Sequence, residues 1–138
     1  MNPEDVLKAF IVAMNAWETA TWQTYQKAEE AGDISNSYWE QAQPSLRTIF
    51  DQYCTPKDRP YGRSGFSHPS DYDPVNEKIV EMTFPSSRKA LVTTHKPSPT
   101  LPSTLRVTEY VMLKKAGEWR VDNKKIVYDD GTKLPYFL

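Results

Sequence analysis

Cysteine, histidine and glycine are scarce in this chain, and each scarcity removes a class of function. Cys54 is the single cysteine among 138 residues, so no internal disulfide can form and no CxxC pair exists for metal or redox work. The two histidines, His68 and His95, have no HxH or HxxxH spacing around them, so no metal site is expected. Five glycines supply neither a phosphate-cradling loop nor a GxSxG elbow, and no cofactor is expected. No apolar run approaches the roughly 20 residues that a membrane span needs. The first residues also lack the charged, apolar and small-residue order of a signal peptide. A soluble protein of the reducing cytoplasm, away from membranes, is the expectation.

What is present describes a globular α+β domain. A chain of 138 residues is expected to form one domain, residues 1–138, and at that size about two thirds of the unfolded surface is buried without staples. Hydrophobic residues make up 38% and aromatic residues 12%, enough for one core, while a mean hydropathy of -0.68 leaves a polar surface. Net charge is -1 but unevenly divided. Residues 1–54 carry three Lys/Arg against eight Asp/Glu, and residues 55–138 carry fourteen against ten. Such a dipole steers a charged partner, or is simply two differently solvated faces.

The helical half comes first, over residues 1–54. Asn2 followed by Pro3, Glu4 and Asp5 is a strong helix start: an N-cap, a proline at the first helical position, and acids at the positive dipole end. Val6, Phe10, Met14 and Trp17, with Leu7, Ile11, Trp22 and Tyr25 beside them, make a wide apolar stripe, and Gly32 is a terminator. A helix over about 3–31 follows, with the stripe read as core. A second helix is expected from Ser37, where Ser37 to Glu40 matches a capping box, with a kink or restart at Pro44 and an end before Pro56.

Strand periodicity appears in the sheet half, residues 75–138. Val80, Met82 and Phe84 alternate with Ile79, Glu81 and Thr83, and Ala90, Val92 and Thr94 alternate with Leu91, Thr93 and His95. A turn around Pro85, Ser86 and Ser87 joins these two strands. A proline-rich loop, Lys96 to Ser103, leads to a third strand from about Leu105 to Lys114. A hairpin at Ala116 and Gly117 gives a fourth, Glu118 to about Asn123, with Ile126 to Tyr128 extending it or forming another. Helices followed by consecutive antiparallel strands predict helices packed on one face of a curved sheet, a cone-like arrangement that makes room for a pocket.

Between the halves lies a loop over residues 55–74. Pro56, Pro60, Pro69 and Pro74 break regular structure, and Gly62 and Gly65 permit turns. Tyr61, Phe66 and Tyr72 carry apolar surface that a flexible tether does not need, so the segment reads as a packed, functional loop.

Catalytic candidates are few. Glu109 shares a strand face with Val107 and Val111, and His95, Tyr110 and Asp122 lie on or near strands that face a cone. An acid on an apolar wall has a raised pKa and suits proton transfer, as in an isomerase or dehydratase. Paired with Arg106 or Arg120, the same acid is structural, and the pairing is the favoured reading. A small-ligand-binding module is the third class. Cys54 has no local activating partner and reads as a small buried residue. Lys114, Lys115, Arg120, Lys124 and Lys125 cluster near the hairpin, but interleaved acids and a pI near 6.1 argue against direct nucleic-acid binding.

The tryptophan-rich first helix, the loop YCTPKDRPYGRSGFSHPSDYDP followed by NEKI, the hairpin EYVMLKKAGEWRVDNKK and the terminal DDG turn together resemble bacterial immunity proteins with a nuclear transport factor 2-like fold, including those of rearrangement-hotspot polymorphic toxin systems. The resemblance covers most of the chain from about Cys54 onward. It implies a non-enzymatic protein that binds and neutralises the C-terminal domain of a cognate toxin, with no catalytic residues. Tight interfaces use aromatic and arginine anchors within a polar rim. Tyr61, Arg63, Phe66 and Tyr72 are the expected anchors, with Asp71, Asp73 and Glu77 meeting basic groups of the toxin.

Overall fold

Asn2 opens the first helix as its side chain predicts: the Asn2 Oδ1 accepts the Asp5 amide at 2.8 Å in a computed structural model, which describes residues 1–59, 65–98, 101 and 103–138. Helix α1 spans Pro3–Glu30. Gly32, at φ +71°, turns the chain so that its own amide reaches the Glu29 carbonyl and the Asp33 amide reaches that of Ala28. That pattern closes the helix end.

Helix α2, Ser37–Tyr53, starts where expected but by another device. The Ser37–Glu40 capping box does not form; Asn36 is the N-cap and makes no side-chain cap bond. The Ser37 hydroxyl donates instead to Asp33, whose carboxylate also accepts the Ser35 amide and hydroxyl. An ionised acceptor attracts these donors more strongly than a neutral cap arrangement does. The same bonds, led by the Ser35 hydroxyl, hold the Asp33 carboxyl below its usual range. The helix runs through Pro44 without restarting. Both Pro44 and Glu40, whose carbonyl loses its bond, lie on the exposed side, where water replaces it.

Among the described residues, five antiparallel strands follow in simple order: β1 Lys78–Ser86, β2 Lys89–Pro97, β3 Leu105–Lys115, β4 Glu118–Val127 and β5 Lys133–Tyr136. Ala116 at φ 52° and Gly117 at φ 79° make the β3–β4 turn, the left-handed pair that matches strand twist. Strand β4 is longer than its alternation predicts because Asp122 is an extra residue. Val111 pairs with Asn123 and Met112 with Val121, so the bulge shifts the pattern and Ile126–Val127 continue the same strand. A second bulge at Val80 changes β1. Ile79 and Met82 pack on the core, while Val80 and Phe84 stand exposed, against the shared face that their alternation suggests.

The helices cover one face of this sheet. Leu7, Phe10, Ile11, Met14 and Trp17 of α1 meet Ala90, Val92, Tyr110, Met112 and Val121, with Cys54, Tyr72 and Leu138 closing the ends. Each large side chain so buried contributes roughly 1.5–3 kcal/mol. The arrangement is the expected α+β one, and a bond from the Trp17 indole to the Ala42 carbonyl, 2.8 Å, ties the helices together.

Candidate functional site

The face of the sheet that the helices cover is filled by side chains. Tyr72 and Tyr110 are fully buried there, and Phe10 meets Tyr72 edge-on at 5.6 Å. The Lys124 ammonium lies 4.2 Å from the Tyr72 ring centre, 5.3 Å from Tyr136 and 5.9 Å from Tyr110, a cation held against aromatic faces. Tyr110 donates to Glu77 Oε2 at 3.3 Å, and Thr94 donates to the same oxygen at 2.7 Å. Burial first, and then the nearby Glu77 charge, push the Tyr110 phenol well above its ordinary range.

The four catalytic candidates do not converge. Glu109 and Tyr110 are strand neighbours and point to opposite faces. Register puts Glu109 with Thr93 and Lys125, and His95 with Val107, on the face away from the helices. Glu109 is paired, but with Lys133 of β5 at 2.7 Å rather than with Arg106 or Arg120. Asp122, at its bulge, accepts the Thr55 hydroxyl at 2.7 Å and meets Lys57 at 2.9 Å. Burial raises its carboxyl, but those two partners outweigh it and hold the group below the usual range. Cys54 is buried, and burial pushes its thiol up to about 12 despite Arg59 and Arg120 nearby. Among the described residues, no cluster of three or more His, Cys, Asp or Glu side chains is placed to hold a metal ion.

The long loop is tied down at both ends. At its start the Thr55 amide donates to the Val121 carbonyl at 2.9 Å, extending the edge of β4. Arg59 then donates to the carbonyls of Asp122 and Thr55 and lies 5.8 Å from the Phe50 ring centre. Tyr61 and Arg63 lie outside the described residues. From Gly65 onward the loop rests on α1. Phe66 sits among Trp22, Tyr25 and Tyr38 at 5.8–6.2 Å, and His68 stacks on Trp22 at 4.1 Å and 10°.

The anchor beneath is Glu18, which is fully buried. Its carboxylate accepts the Ser67 amide at 2.5 Å, the Ser70 hydroxyl at 2.9 Å and the Asp71 amide at 3.0 Å. One helical turn earlier, the Asn15 side-chain amide donates to the Tyr72 carbonyl at 2.7 Å. Asp71 in turn accepts the Ser67 hydroxyl and pairs with Arg106 at 3.5 Å. Lys96 is buried beside this group; burial lowers its pKa, and the charges of Glu77 and Asp71 partly restore it.

The expected contact residues therefore separate by depth. Tyr72 lies in the core, and Asp71 and Glu77 are also buried. Phe66 is half-buried and Asp73 half-exposed. Asp73 accepts the Val75 and Asn76 amides and the Asn76 side chain, all at 2.9–3.0 Å. Burial raises its carboxyl, and the Asn76 and Val75 bonds bring it below the usual range. Glu18 and the Trp22–Tyr25–Tyr38 platform escaped the sequence reading. The signal for Glu18 was present: it occupies the stripe of Leu7, Ile11, Met14 and Tyr25 at spacings of three, four and seven, the one charge on that line.

Relatives agree with this picture. The family model described as NTF2 fold immunity protein matches residues 2–134. Immunity protein RhsIA of Dickeya dadantii (strain 3937) is 27% identical over 132 residues, covering 92% of this chain and 90% of that protein. No solved structure matches the chain. Helices on an antiparallel sheet and a family match across nearly the whole sequence lead to one assignment: the chain belongs to the NTF2 fold immunity proteins, and its role is toxin-neutralising immunity.

Proposed function

We propose that this immunity protein acts in the cytoplasm of a toxin-producing bacterium, binding the C-terminal domain of a polymorphic toxin directly and one-to-one, without catalysis of its own. The observation that carries this reading is the family match over residues 2–134, together with a relative named for immunity. Burial of Tyr72, Tyr110 and Phe10 in the core beneath the helices supports a binding role over a pocket enzyme, which needs an open cavity.

The contact surface is the loop and its aromatic platform. Phe66, Trp22, Tyr25 and Tyr38 are half-buried, with large apolar faces that suit anchors. Asp73 adds charge at the loop's end, and Tyr61 and Arg63, outside the described residues, belong to the same stretch of sequence. Asp71 and Tyr72 serve this surface from beneath by holding the loop in place. Because Glu18 fixes residues 67–71 before any partner arrives, little ordering entropy of that stretch remains to oppose binding.

Co-expression with the toxin encoded beside it tests the reading. A stable co-purified complex and restored growth are the expected results; toxicity undiminished with no complex formed overturns it.

A further inference from the structure

Two turns meet at one end of the sheet. The β1–β2 turn at Ser87 and Arg88 lies beside the β3–β4 turn at Ala116 and Gly117, because the Lys114 amide donates to the Arg88 carbonyl at 2.9 Å and Lys89 pairs with Leu113. Between the turns runs an open groove of about 660 Å³. Its charged side chains are Arg88, Lys114 and Lys115, all exposed, and none of its described lining residues is acidic. Lys89 adds an exposed cation next to Arg88.

Among the described residues these four form no ion pair, whereas Lys8, Lys57, Arg106, Arg120 and Lys133 each have a carboxylate partner. Glu118 stands opposite Lys115 in the strand register, but its carboxylate pairs with Arg120 at 3.0 Å. Like charges on neighbouring strands repel one another, and here nothing in the fold offsets them. Apolar surface adjoins the cations. Phe84, 53% exposed, meets Trp119 edge-on at 6.0 Å, and the Lys114 ammonium lies 6.0 Å from the Trp119 ring centre. An arginine beside an exposed aromatic pair has the composition of a protein contact.

The groove's neighbour decides between two kinds of anion. It shares Lys115 and Ala116 with the groove but is also lined by Asp51, Asp58 and Glu118. A nucleic-acid strand carries a charge at every nucleotide and runs on into those acids, whereas a short protein segment ends before them. We propose that the groove receives an acidic segment of the partner toxin, its carboxylates paired with Arg88, Lys114 and Lys115 beside the Phe84–Trp119 pair. This inference rests on the immunity reading for the identity of the partner, and on the groove alone for the chemistry. The groove is distinct from the loop platform. Val6, which lines a cavity beside Trp119, and Trp22 of the platform lie about 24 Å apart along α1. An interface of about 800 Å² per partner spans that distance, so the groove is a second point of grip that fixes the toxin's orientation.

Carbodiimide, which joins an ammonium to a carboxylate only where the two meet, tests the contact in the co-expressed complex. Cross-links from Lys114 or Lys115 to aspartate or glutamate of the toxin are expected; their absence overturns the inference. Toxin capture by R88E/K115E, checked for folding by thermal melting, is the second measurement. Binding at least about tenfold weaker than wild type is expected, while R47E/K78E, the same charge change at exposed positions elsewhere, stays within about twofold. Folded R88E/K115E that binds as tightly as wild type overturns the inference and leaves immunity intact. A third measurement needs no toxin: titration with hexaglutamate and, separately, with hexathymidylate, followed by the amide signals of Arg88 and Lys114–Gly117. Saturable hexaglutamate shifts in wild type that vanish in R88E/K115E are expected. No such shifts, or larger ones with hexathymidylate, overturn the inference. A wild type that captures no toxin but shows the hexaglutamate shifts removes the immunity reading alone.

Discussion

Replacing Glu18 by alanine removes the post on which the long loop stands. Glu18 is fully buried, and its carboxylate accepts the Ser67 amide, the Ser70 hydroxyl and the Asp71 amide. Without the carboxylate, two backbone donors lose their partner, the Asp71 amide in the interior and the Ser67 amide in a partly buried position. Each unsatisfied buried group costs about 1–3 kcal/mol, and a small void is left as well. The Ser70 hydroxyl can rotate to another acceptor, so it adds little. The sum is about 3–5 kcal/mol, the range found when one partner of a buried charged cluster is deleted. Glu18→Gln keeps the shape but loses charge and one acceptor, and should cost about 1–3 kcal/mol. Urea titration followed by tryptophan fluorescence measures both values. Hydrogen exchange at the Ser67 and Asp71 amides shows whether the loop detaches alone or with the fold. Because Tyr72 lies in the core and Phe66 packs on Trp22, the loss is expected to be global. An E18A variant within about 1 kcal/mol of wild type, with protection unchanged at both amides, refutes the reasoning.

Three further outcomes follow from the same geometry. Asp73 and Asp122 have folded-state carboxyls held below the ordinary range, so their stabilisation is present above the unfolded value near about 3.9 and is lost as pH falls through the folded value. Stability should therefore drop below about pH 4, and Asp122→Asn should flatten that fall in an acid titration by circular dichroism; an unchanged slope counts against the Lys57 and Thr55 pairing. Cys54, its thiol raised to about 12 and buried, should resist a thiol reagent at pH 8 until denaturant is added; rapid native labelling contradicts the burial. Asp71→Lys should lower the melting temperature sharply by placing a cation beside Arg106 in the interior, whereas Asp73→Lys should leave it within a few degrees while weakening toxin capture. Equal melting shifts for the two would mean that their depths are misassigned.

Elements governed by local chemistry were legible in the sequence. The Asn2-Pro3 start, the Gly32 stop, the Ala116-Gly117 turn and the order of the first four strands depend on a few adjacent residues, and the two helices and β1 to β4 stand close to their expected places, whereas β5 was not foreseen. Features decided across the chain were not. The Ser37–Glu40 motif failed because Asp33, four residues upstream, competes for the serine. The end of β4 was placed short because the Asp122 bulge and the two lysines after it hide the alternation. Glu109 found Lys133 instead of an arginine because β5, an additional short strand, brings that lysine across. The candidate site shows the same division. The loop itself was readable from prolines and aromatics, but which of its residues face inward depends on Glu18, 49 to 53 positions away. No local pattern carries that pairing; the single charge on the α1 stripe was its trace.

The family assignment makes neutralisation by direct binding the central claim, and growth rescue measures it most directly. Cells expressing a cognate toxin domain together with this protein should grow as toxin-free cells do, and the two chains should elute as one equimolar complex. Growth arrest despite abundant folded protein, with the two chains eluting separately, would contradict the account.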